Sequence, residues 1–215
     1  MHYFCEVQNM KNFKVAITTI TATVLAATPV LAHHTMGGMT PSNAVEGLLS
    51  GLAHPVIGPD HFAFIVAVGL LASAKRQGWA IPVGFVAATV LGTSLHLLQL
   101  PMPGVEVMIA ASILLFGGLI LQADRLNLAT IAGFAGFAGL FHGYAYGEAI
   151  FGAESTPLVA YLIGFGAIQS AIALTSCWAA KSAFLGGKLK SVGLVICGIG
   201  VAFVASQLSS MIFPA

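Results

Sequence analysis

Five side chains in this sequence carry metal-binding chemistry at suggestive spacings: His54, Asp60 and His61 around one short segment, and His142 with Glu148 further on. His33 and His96 are weaker candidates of the same kind. Imidazole and carboxylate without thiolate suit nickel, cobalt, zinc or copper(II), and suit copper(I) poorly. In an unbroken helix His54 and His61 would share a face but stand about 10 Å apart along the axis, too far for one ion. The intervening Pro55-Val56-Ile57-Gly58-Pro59 removes that objection, because proline breaks the hydrogen-bond ladder and glycine admits unusual dihedrals. Asp60 then either ligates directly or holds a histidine ring by accepting its second N–H. His142 and Glu148 meet only if their helix ends early, at Gly143 or Gly147.

These residues lie in a chain built for a bilayer. Of 215 residues, 58% are hydrophobic and 7% charged, against roughly 25% charged in a soluble domain. The net charge of +1 gives no reason to expect nucleic acid as a partner. The cysteines Cys5, Cys177 and Cys197 form neither a disulfide framework nor a zinc spacing. No P-loop is present, so nucleotide is not consumed by this chain, and no organic cofactor is expected. Lys11 and Lys14 precede an apolar run from Val15 to Leu25, and Val30-Leu31-Ala32 completes a signal-peptide pattern over residues 1–32, with Met10 an alternative start. Cleavage there makes His33 the first residue of a single transmembrane domain, 33–215, with His34 beside it; the free amine and ring of His33 could together chelate an ion.

The remaining apolar stretches predict an all-α polytopic bundle of about six transmembrane helices, near 43–74, 79–98, 104–122, 127–149, 157–180 and 191–213. The first is broken at Pro55–Pro59, which a membrane tolerates only where protein or a water-filled cavity satisfies the freed backbone groups. Lys75, Arg76, Arg125, Lys181, Lys188 and Lys190 all fall in or beside the first, third and fifth connections, which the positive-inside rule makes cytoplasmic. Both mature termini then face outward, and the histidines with nearly all carboxylates gather in the outer half. Glu46 and Glu106 stand at that outer boundary. Ionisable groups within a membrane cost enough that such a cluster reads as a receiving site for a divalent cation. Gly133, Gly136, Gly139, Gly143 and Gly147 form one stripe on the fourth span, suited to a tight central helix.

The segment Gly51-Leu52-Ala53-His54-Pro55-Val56-Ile57-Gly58-Pro59-Asp60-His61, followed by Gly69-Leu70, resembles the H-P-x-x-G-x-D-H signature of the HupE/UreJ family of nickel and cobalt permeases. Phe141-His142-Gly143-Tyr144-Ala145-Tyr146-Gly147-Glu148 is similar to that family's second signature, and the likeness covers essentially the whole mature chain. Ile65 stands where the family often has methionine, and Tyr144 and Tyr146 where it often has histidine. The resemblance implies uptake of nickel first and cobalt second, as transported substrate, across the cytoplasmic membrane, with no enzymatic activity. The residues alone also admit an intramembrane zinc-dependent hydrolase, a haem-binding cytochrome, or a metal-binding accessory or sensor protein. They leave open association into a homo-oligomer.

Overall fold

The computed structural model describes residues 39–182 and 188–213. The signal-peptide reading, His33 and His34 lie outside them. The described residues form seven α-helices: α1 (Ala44–Ile57), α2 (Pro59–Ser73), α3 (Ala80–Leu97), α4 (Val105–Leu121), α5 (Leu128–Glu148), α6 (Ser155–Lys181) and α7 (Leu189–Ile212). Helices α3, α5, α6 and α7 are each long and apolar enough to cross a membrane, and α1 with α2 makes a fifth span bent by 80°. Helix α4, with 17 residues, is the sixth apolar stretch and is shorter. Large apolar side chains such as Val83, Leu91, Ile163, Leu174, Trp178 and Val201 point outward, an exposure suited to lipid. The chain is a multi-pass helical membrane protein.

The break in the first span is confined to Gly58. Proline disfavours the helical region for the residue before it, and Gly58 ahead of Pro59 is extended at φ −75°, ψ 103°. Pro59 then opens α2 at a position that needs no N–H donor. Helix α1 runs through Pro55 to Ile57, so the interruption is narrower than the Pro55–Pro59 segment suggests. At its start the Asn43 side chain accepts from the Glu46 N–H at 3.0 Å, and the Glu46 carboxylate accepts from the Ser42 N–H and hydroxyl at 2.8 and 2.9 Å. Glu46 is therefore engaged in closing the helix terminus.

Helix α2 lies at the centre, with ten of its fifteen residues buried. Around it the other helices pair through glycine: Gly51 on α1 against Tyr161 on α6, Gly143 on α5 against Thr89 on α3, and Gly117 on α4 against Cys197 on α7. The α5 stripe is divided between two surroundings. Gly139, Gly143 and Gly147 press on α3, whereas a Cβ at Gly133 or Gly136 would meet nothing within 4 Å. The central helix is thus α2 and not α5.

One polar tie closes the end that carries the basic residues. Lys75, just after α2, donates to the carbonyls of Ala123 and Leu126 at 2.5 and 2.6 Å, so the first and third connections lie together. Lys75→Met removes two charge-assisted hydrogen bonds, each worth about 1.5–3 kcal/mol. The thermal unfolding midpoint of the detergent-solubilised variant is expected to fall by several degrees.

Candidate metal centre

The bend at Gly58 brings the two motif histidines together. His54, in the last turn of α1, and His61, in the first turn of α2, have ring centres 5.8 Å apart at an interplanar angle of 74°. Gly58 is required for this, since a Cβ there would come within 2.8 Å of His61 Cδ2. His142, two turns before the end of α5, approaches from the other side, with its Nδ1 2.8 Å from His61 Nδ1. All three rings are buried. Tyr146 packs against both His54 and His61, with ring centres at 5.0 and 4.5 Å. Phe64 stacks on His142 at 4.3 Å and 27°, and Phe116 packs against Phe64 at 4.5 Å, so one side of the cluster is closed by aromatic rings.

Two hydroxyls fix the protons on these rings. Tyr161 donates its O–H to the Tyr146 carbonyl at 2.8 Å, so its oxygen accepts from His54 Nδ1–H at 3.1 Å. The lone pair of His54 therefore falls on Nε2. Ser112 donates to the Ile109 carbonyl at 2.7 Å, so it accepts from His142 Nε2–H at 3.0 Å. His142 Nδ1 then carries a lone pair and accepts from His61 Nδ1–H, which leaves the lone pair of His61 on Nε2 as well. Two adjacent imidazoles are thereby held as the tautomers a metal ion needs, each oriented through its other nitrogen.

The other candidates are placed differently. Asp60 is half-buried, and its Oδ1 accepts from the His61 backbone N–H at 2.8 Å, a helix-opening contact. Glu148 is exposed at the end of α5; because the helix runs unbroken through Gly143 and Gly147, the structure does not bring it beside His142. His96 lies apart from the three, half-buried between Tyr144 and Phe151 at 4.6 and 5.8 Å, with its Nδ1 buried and without a hydrogen-bond partner. Among the described residues no three His, Cys, Asp or Glu side chains stand close enough to hold one ion together. His54 and His61 carry their lone pairs on Nε2, while the lone pair on His142 Nδ1 accepts from His61.

Tyr161 and Ser112 were not evident as site residues from the sequence. Tyr161→Phe deletes an oxygen that serves both His54 and the Tyr146 carbonyl, leaving buried polar groups unsatisfied at about 1–3 kcal/mol each. Its nickel affinity, measured by titration, is expected to fall roughly 10-fold as His54 loses its fixed tautomer.

A polytopic bundle with linked imidazoles sealed between its helices defines a membrane protein organised around a candidate metal centre. The chain belongs to the HupE/UreJ family: the family model described as HupE / UreJ protein matches residues 21–205. It is 30% identical over 192 residues to Protein HupE of Rhizobium leguminosarum bv. viciae, covering 88% of this chain and 96% of that one. No solved structure matches the chain.

Proposed function

We propose that this protein carries a divalent transition-metal ion inward across the cytoplasmic membrane, nickel first and cobalt second, without catalysing a reaction. The observation that carries this reading is the pair of buried imidazoles, His54 and His61, whose partners hold a lone pair on each Nε2. An ion is captured on these two nitrogens, with His142 able to join when its Nδ1 lone pair no longer accepts from His61 Nδ1–H. Family membership supports the metal, since the resemblance on which it was expected is to nickel and cobalt permeases. Asp60, Glu148 and His96 stand nearer the entrance in this reading and draw the hydrated ion toward the histidines, and His33 is a further ligand proposed from the sequence alone.

In the same proposal residues 1–32 are a cleaved signal peptide, 33–215 form one transmembrane domain, and both mature termini face the exterior. The clustering of Lys75, Arg76, Arg125, Lys181, Lys188 and Lys190 at the opposite end supports that orientation. An inside-negative potential then favours entry by about 2.3 kcal/mol per charge per 100 mV, and about twice that for a divalent ion. Purified protein in proteoliposomes with an imposed inside-negative potential is expected to accumulate radioactive nickel, with cobalt competing. Accumulation of neither ion would refute the carrier reading. Tightly retained stoichiometric zinc would favour a resident metal centre instead.

A further inference from the structure

Helix α6 carries a polar side chain that the histidine chain does not use. Gln169 is fully buried, two turns beyond Tyr161 toward Lys181 and so about 12 Å further along the axis. Its amide N–H donates to Thr89 Oγ1 at 3.4 Å, while its Oε1 is buried without a hydrogen-bond partner. Thr89 determines which way the amide faces. Its hydroxyl proton is given to the Val86 carbonyl at 2.8 Å, so Oγ1 only accepts, and a reversed amide would set oxygen against oxygen with no proton between them. The carbonyl oxygen is therefore the atom left over. The surroundings lead back to the histidines: the Thr89 backbone packs on Gly143, the residue after His142, and Thr93 one turn along α3 donates to the Gly143 carbonyl at 2.8 Å.

A leucine would fill this position without leaving a buried acceptor unsatisfied, so the amide is retained at a cost to the fold. What a neutral oxygen offers there is a weak, hard ligand, suited to a partly dehydrated divalent cation that must be held briefly and released. We propose that Gln169 Oε1 is a second station for the transported cation, oriented by Thr89 and set deeper in the bundle than the histidine pair. This rests on the carrier reading above. An imidazole site alone binds a nickel ion but gives it no next ligand; an amide oxygen lowers the penalty of leaving the first site without forming a second trap.

The test uses the full chain with nickel as the probe, comparing wild type with Gln169→Leu and Gln169→Glu. In proteoliposomes Gln169→Leu is expected to lose about 10-fold or more of the uptake rate. Its equilibrium nickel binding in detergent stays at the wild-type value, because the histidines are untouched. Gln169→Glu, which restores an oxygen, recovers uptake above the leucine variant. Uptake by Gln169→Leu at the wild-type rate, as expected if the amide binds only water, overturns the proposal. So does a parallel loss of binding, which would make the amide a support of the histidine site. Should Gln169→Leu fail to accumulate, Thr89→Val removes the hydroxyl that orients the amide and is read in the same way. A wild type that transports neither nickel nor cobalt sinks the carrier reading itself, a result visible before any substitution is made.

Discussion

On the proposed carrier reading, His61→Ala is expected to abolish tight nickel binding and to lower uptake by about 100-fold or more, beyond the 10–100-fold usual for a residue that only orients a ligand. The size of the effect follows from the position of this ring at the junction of the cluster. It meets His54 at 5.8 Å and Tyr146 at 4.5 Å, and it donates to His142. Its removal deletes one of the two Nε2 ligands of the proposed site. It also withdraws the proton that holds His142 Nδ1, leaving a buried acceptor unsatisfied at about 1–3 kcal/mol. His61→Asn separates the two losses, since an amide N–H near the place of Nδ1–H can still donate to His142 while nothing replaces Nε2. The asparagine variant is expected to regain most of the thermal stability lost by the alanine variant and none of the nickel binding. Recovery of both by asparagine would show that His61 acts only through its hydrogen bond, and would remove it from the ligand set.

The histidine pair was legible in the sequence because its geometry depends on local rules. A Gly-Pro step forces the chain out of the helix, and Asp60 follows in the first turn of the new helix, where a carboxylate is favoured. The apolar stretches likewise gave the helices to within a few residues, since a span must be long and apolar whatever packs against it. What the sequence did not reveal depends on which helices become neighbours. Ser112 looked like any hydroxyl in an apolar helix, and such groups commonly bond a carbonyl of their own helix, as Ser94 and Ser170 do. Ser112 does so too, and its role for His142 follows only once α4 is seen beside α5. Gln169 was the more readable omission, being a lone amide in the middle of an otherwise apolar span. Glu148 marks the opposite limit: its motif neighbours suggested a site, but an unbroken α5 leaves it about 9 Å along the axis from His142.

The α5 glycines provide the second large effect, because the same substitution on one helix should have opposite outcomes. At Gly143 a Cβ would come within 2.5 Å of Thr89 Cα and 2.6 Å of its carbonyl carbon. These are backbone atoms, which yield only if α3 and α5 separate. The reciprocal contact is equally close, since a Cβ at Gly92 would come within 2.9 Å of the Tyr144 backbone nitrogen. Gly143→Leu must therefore push α5 away from α3, breaking the Thr93 hydrogen bond to the Gly143 carbonyl and carrying His142 from its 2.8 Å contact with His61. A loss of roughly 3 kcal/mol or more is expected, at the upper end for overpacking. It would appear as poor accumulation, a much lower unfolding midpoint and loss of nickel binding. Gly133→Leu, where a Cβ meets nothing within 4 Å, gains instead the better helix propensity of leucine, worth up to about 1 kcal/mol. It should match or slightly exceed the wild type in stability. Equal damage from both substitutions would mean that α5 packs through its whole glycine stripe, and the division of that stripe into an edge packed on α3 and an open part at Gly133 and Gly136 would have to be abandoned.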